Sequence, residues 1–140
     1  MKNITITIMS ILFFSYAAYA GNPPAEAVKA FKIKFPEATH VKWDKENAHN
    51  YEASFKLNAL NYSANYSDKG EWLETESPFT YEKLSPEIKN SFEVAHKNQK
   101  AKGVSKIDQA KGVVKYEIEV KSGIKTIEYF YTADGVETKE

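Results

Sequence analysis

Four segments of the chain alternate strictly between apolar and polar residues. Tyr51, Ala53, Phe55 and Leu57 alternate with Glu52, Ser54 and Lys56, and Tyr62, Ala64 and Tyr66 with Ser63, Asn65 and Ser67. Later, Val114, Tyr116, Ile118 and Val120 alternate with Lys115, Glu117, Glu119 and Lys121, and Ile127, Tyr129 and Tyr131 with Glu128, Phe130 and Thr132. A period of two places each apolar set on one face of a strand, because successive side chains point to opposite sides. One apolar and one polar face is the mark of antiparallel strands covered on a single side. Val41 and Trp43, alternating with Lys42 and Asp44, predict a shorter strand of the same kind. The segments are divided by Ser67-Asp-Lys-Gly70, Lys121-Ser-Gly123 and Ala133-Asp-Gly135, which carry the residues of tight reversals. Gly70 and Gly135 stand where a positive φ is expected.

Two other stretches follow the helical period. After Pro23-Pro24, the apolar residues Ala27, Val28, Phe31 and Phe35 fall at steps of one, three and four. That spacing gathers them on one face, with Lys29, Lys32 and Lys34 elsewhere. Pro24 suits an early helical position, and Pro36 cannot continue the helix. In the second half Ser85-Pro86-Glu87 reads as a helix start, with Ser85 as N-cap. Ile88, Phe92 and Ala95 form its apolar stripe, and Gly103 is expected to close the segment.

The two halves share one plan. Tyr51, Glu52, Lys56, Tyr66 and Gly70 each recur identically 65 positions later, with no gap over 20 positions. The pattern predicts an α+β fold, a helix followed by an antiparallel meander, executed twice. The repeats are expected at about 23–80 and 84–140, within one domain, and both helices on the apolar face of the sheet.

The N-terminus reads as an export leader over residues 1–20. Lys2 precedes an apolar run from Ile4 to Phe14, and Ala18-Tyr-Ala20 fits a signal-peptidase site, giving Gly21 as the expected new N-terminus. The run falls short of the roughly 20 residues that span hydrocarbon. Without cysteine after the site, lipid attachment there is ruled out, so a periplasmic or secreted protein with no membrane insertion after cleavage is expected.

Composition narrows the function classes. Past Ala20 there are 18 lysines against 19 acidic residues and no arginine. Near-neutral charge and the missing guanidinium fork both argue against nucleic acid as a partner. Absence of cysteine removes thiol nucleophiles, thiolate metal sites and disulfides together.

Certain residues carry a family likeness. Phe31-Lys-Ile-Lys-Phe-Pro36-Glu-Ala-Thr-His-Val41-Lys-Trp43 resembles the start of the PepSY-like domains of exported bacterial proteins, which are described as β-lactamase-inhibitor-like. Tyr51-Glu-Ala-Ser-Phe55, Asp68-Lys-Gly70-Glu-Trp72, Glu74-Thr-Glu76, Leu84-Ser-Pro86 and Ala133-Asp-Gly135 continue it over essentially all of the mature chain. The resemblance implies a tandem helix-plus-sheet fold, a periplasmic or cell-surface location and no catalysis. The disulfides of the β-lactamase inhibitory protein itself have no counterpart here.

The chemistry-bearing residues point the same way. No Gly-x-Ser-x-Gly elbow is present, and no enzyme activity is expected. His40, His49 and His96 lack ligand spacing from one another, so neither metal nor other cofactor is expected. Glu74 with Glu76, and Glu117 with Glu119, each share a strand face as a solvated surface requires. The candidate binding residues lie on the polar sheet face: Phe130, expected to emerge as an exposed aromatic, among Lys56, Glu52, Glu117, Glu119 and Lys121. Trp72, at a strand end, is a second aromatic candidate. The function expected is a non-enzymatic module that binds, and in one version inhibits, a protein partner through that face. The alternative is a small-ligand carrier or sensor with an apolar cleft between helices and sheet.

Overall fold

The structure is a computed structural model and describes residues 22–139, so the leader and its cleavage site lie outside the described residues. Helix α1 (Ala25–Lys34) precedes strands β1 (Thr39–Lys45), β2 (Asn50–Leu57), β3 (Leu60–Ser67) and β4 (Trp72–Phe79). After a 3₁₀ turn at Tyr81–Lys83, helix α2 (Pro86–Ala95) precedes β5 (Ala101–Gln109), β6 (Val114–Ser122), β7 (Lys125–Thr132) and the short β8 (Glu137–Thr138). All eight strands form one antiparallel sheet in sequence order. Each half is therefore a helix followed by four strands. The helices begin 61 residues apart, and β3 and β7 coincide at an offset of 65.

Local chemistry accounts for the elements. Ser85 accepts a hydrogen bond from the Ile88 backbone N–H at 3.3 Å and caps α2, with Pro86 at its first turn. The β2–β3 reversal runs through Asn58 and Ala59, both at positive φ, as the two-residue turns matching strand twist require. Both helices end alike, with the N–H of Phe35 or His96 bonded to the carbonyl of Phe31 or Phe92 at 2.8 Å.

Two apolar cores lie side by side on the helix-covered face. Under α1, Ala27 and Phe31 pack on Ala53, Phe55, Ala64 and Tyr66, with Trp43 and Trp72 against them. Under α2, Ile88 and Phe92 pack on Val104, Ile118, Val120 and Tyr131, with Leu84 beside them. Between the cores the same face turns polar. Thr75 accepts from the Trp72 indole at 2.9 Å, and Lys106 pairs with Asp108 at 2.7 Å.

Three expectations are corrected. Val41 is 38% exposed instead of half-buried, because a bulge between Thr39 and Lys42, with His40 at φ 53, turns it out of alternation. Ala95 is exposed; the inward contact at this end comes from His96, just after α2, whose ring stacks on Tyr129 at 3.7 Å. Gly103 does not close the helix, which ends at Ala95 before Asn98 turns the chain at φ 71. It lies within β5, where a Cβ would sit 3.0 Å from the Glu119 carboxylate.

Candidate protein-binding face

Cross-strand register defines the uncovered face. Lys42, Ser54, Ser63 and Glu76 stand opposite one another across β1 to β4, and the row continues through Ile107 to Lys115. A second row runs Asp44, Glu52, Asn65, Glu74 and Gln109. Among the described residues, no helix covers these side chains. The face is nevertheless hollow, with a cavity of about 650 Å³ lined from six strands, among them His40, Lys42, Glu52, Lys56, Glu76 and Glu119.

The hollow takes in some of the expected binding residues and leaves others out. Lys56 is exposed at its rim, and Glu52 and Glu119 line it. Glu117 shares the face but is only 5% exposed, and Lys121 stands exposed beyond, bonded to Thr126. Phe130 is not the projecting aromatic that alternation suggested: it is 8% exposed. The reason lies in register. Phe130 sits between Glu117 on β6 and Thr138 on β8, and Lys115 reaches across β7 to the Lys139 carbonyl at 2.9 Å. The chain end and a lysine stem thus close over the ring. Trp72 belongs to the opposite face. It pairs in register with buried Tyr66 and carries the Lys34 ammonium 3.8 Å from its ring centroid, so it packs under α1.

Sequence reasoning did not select Glu76, Ser105, Gly103 or Lys42 as members of one site. The register of β4 with β5 brings them to it, and β5 alternates too weakly to be recognised from its residues alone.

Electrostatics in the hollow are strained. Burial raises the Glu76 pKa above the usual carboxylate value, and Glu119 and Glu74 add to the rise while a hydrogen bond from Ser105 offsets part of it. Burial likewise raises Glu52, with Glu46, Glu76 and Asp44 contributing and the Ser54 hydroxyl opposing at 3.0 Å. Glu74 is better provided for, accepting from Asn65 at 3.0 Å and Gln109 at 2.9 Å. A carboxylate whose folded pKa is raised binds its proton more tightly in the folded state. Its stabilising contribution is present below the ordinary carboxylate value and is lost as pH rises through the raised one. Glu52→Gln and Glu76→Gln are therefore expected to raise the melting temperature at pH 7 by a few degrees at most and to flatten its fall above acidic pH. Melting curves between pH 4 and 8 check this. A lower melting temperature at pH 7 in both variants would contradict it.

The histidines take separate partners: His49 meets Asp68 at 3.1 Å and His96 meets Glu137 at 2.9 Å, while His40 lies at the hollow's rim. Carboxylate oxygens of Glu117, Glu119 and Glu128 lie within 4.8 Å of one another, a hard-oxygen trio of a kind that cations use. Three carboxylates supply between three and six of the six to eight oxygens that calcium takes. Among the described residues no helix is long and apolar enough to cross a membrane.

A single antiparallel sheet with two helices on one face and a hollow, charged other face places the chain among α+β proteins built like the β-lactamase-inhibitor-like ones. The family profile described as "Putative beta-lactamase-inhibitor-like, PepSY-like" matches residues 49–136, and the chain belongs to that PepSY-like family. Among solved structures, a DUF2874 family protein from Bacteroides ovatus is similar at 24% identity and TM-score 0.68, over 84% of this chain and 85% of that one. A BLIP-like protein from Bacteroides fragilis is similar at 21% identity and TM-score 0.63, over 84% of each chain. A Bacteroides eggerthii protein described as "putative periplasmic" is similar at 17% identity and TM-score 0.72, over 85% of this chain and 88% of that one. These likenesses concern the fold. Among curated proteins nothing matches.

Proposed function

We propose that this chain is an exported, non-catalytic binding module whose uncovered sheet face docks, and thereby inhibits or holds, a protein partner. The observation that carries the reading is one-sidedness. Both helices seal one face, while the other presents a hollow of about 650 Å³ lined with charged and hydroxyl side chains. Membership of an inhibitor-like family supports a role in binding without chemistry of its own. The leader-like N-terminus and a similar protein described as "putative periplasmic" support export. The recurrence of helix and strands in both halves fits a duplicated unit, which gives the face its width.

The small-ligand reading required an apolar cleft between helices and sheet. That space is filled by rings, with Phe31 5.0 Å from Phe55 and 5.5 Å from Trp43, and Phe92 6.0 Å from Tyr129. The hollow lies on the other side, so docking is the reading better supported.

The test compares matched variants in affinity capture from the exported fraction of the native cell. Lys56→Glu, on the sheet face, is expected to lose the captured partner, whereas Lys29→Glu, exposed on α1, is expected to keep it. Equal recovery by both would remove the sheet face as the docking surface.

A further inference from the structure

The hollow has two electrical ends. His40, Lys42 and Lys56 line it from β1 and β2, Glu76 and Glu119 from β4 and β6, and Glu52 stands on β2, four residues before Lys56. Its floor is low where Ser54, Ser63 and Ser105 stand. Glu119 fills the space over Gly103, within electrostatic reach of Glu76, which in turn reaches Glu52. Carboxylates thus run from Glu52 on β2 through Glu76 on β4 to Glu119 on β6, while the lining ammonium groups come from β1 and β2.

We propose that this hollow docks an extended segment of a partner protein that carries a lysine or arginine over Glu76 and Glu119 and, about six residues away, an aspartate or glutamate over Lys42 and Lys56. The inference rests on the docking reading above and adds the chemistry of what is docked.

Three observations carry it. A lining of two signs repels a uniformly acidic partner at one end and a uniformly basic one at the other, so it selects a bipolar one. Burial and the repulsion of nearby carboxylates already make ionised Glu76 and Glu52 costly in the free protein, and a cation set beside Glu76 relieves that cost. The lining comes from six successive strands, so the occupant crosses the strands and does not add to an edge. From β2 to β6 there are four inter-strand steps of about 4.8 Å, or about 19 Å. An extended chain at about 3.3 Å per residue covers that span in about six residues. The aliphatic stems of the lining lysines and glutamates, with Pro78, offer walls against which the stem of a lysine or arginine packs.

The experiment uses the mature chain and four fluorescein-labelled, end-blocked octapeptides with a neutral serine and threonine background. One carries Lys and Glu separated by five residues; the others carry two Lys, two Glu, or Lys and Glu adjacent. Fluorescence anisotropy at low salt is expected to show the spaced bipolar peptide binding about tenfold or more tightly than the other three. Glu76→Gln with Glu119→Gln, shown folded by circular dichroism, is expected to abolish that preference. Lys42→Glu with Lys56→Glu is expected to transfer it to the dilysine peptide, a change that simple damage would not produce. Equal binding of all four peptides, or no binding of any at millimolar concentration, would overturn the proposal. If no peptide binds while capture of the native partner is still lost in Lys56→Glu and kept in Lys29→Glu, the docking face stands and the bipolar segment falls. If capture is indifferent to Lys56→Glu, both fall.

Discussion

Phe31→Ala is expected to destabilise the fold by about 3–5 kcal/mol, the range for emptying a buried aromatic site. Phe31 is 3% exposed and is the ring on which the first core converges. Phe55 lies 5.0 Å away, Phe35 and Trp43 5.5 Å, and Tyr66 6.2 Å, the first, third and last near edge-on. Edge-to-face aromatic pairs contribute about 0.5–1.5 kcal/mol beyond their buried area. Alanine would forfeit several at once and leave a cavity that four rings fixed by other contacts cannot fill. Only Ala27 and Phe31 of α1 are fully buried, and Phe31 is the larger of the two. Urea unfolding is the measurement, with the midpoint falling and the slope unchanged if the native state keeps its compactness. A loss below about 1 kcal/mol would mean that α1 is not seated where the contacts place it.

The second large effect concerns glycines at matching places in the two halves. Gly70→Ala and Gly135→Ala are each expected to cost about 2–5 kcal/mol, combining a left-handed backbone penalty with overpacking. Gly70 has φ 80, and an added Cβ would lie 2.7 Å from the Glu26 carbonyl oxygen. Gly135 has φ 85, and its Cβ would lie 2.8 Å from the Glu87 carbonyl carbon. Each turn thus presses against the first turn of its own helix, and backbone atoms cannot yield as a flexible side chain can. Gly123 supplies the control: it has φ 63 but nothing within 4 Å of the added atom. Gly123→Ala should cost only the backbone part, about 1–2 kcal/mol. Equal losses at all three positions, in parallel denaturation curves, would show that the helix–turn contact contributes nothing.

Much of this architecture is legible in the chain before folding is considered. Strands β2, β3, β6 and β7 alternate cleanly, and their apolar sets face the helices as read: Phe55, Ala64, Ile118 and Tyr131 are all buried. Ser85 caps α2 as its place before Pro86 and Glu87 predicts. What alternation does not encode is which strands stand on either side of a residue. Period two assigns Phe130 and Glu117 to the polar face, yet both are buried there, with Phe130 set between Glu117 on β6 and Thr138 on β8. Register across the strands, more than residue type, brings Glu52, Lys56 and Glu119 to one hollow and leaves Phe130 outside it. Strand β5 was lost because Ala101-Lys-Gly103 reads as a helix exit when the interruption at Asn98 is not recognised. Trp72 was ambiguous for a further reason: a register shift between Asn65 and Tyr66 carries it to the helix side.

Because the proposed role depends on one face alone, carboxylate footprinting tests it most directly. Carbodiimide labelling of the mature chain, with and without the partner recovered by capture, reports the accessibility of each glutamate by mass spectrometry. Docking through the hollow predicts protection of Glu52, Glu76 and Glu119, with Glu26 on α1 and Glu87 on α2 labelled as before. Protection of Glu26 and Glu87 with Glu52, Glu76 and Glu119 unchanged would place the partner on the helices and contradict the account.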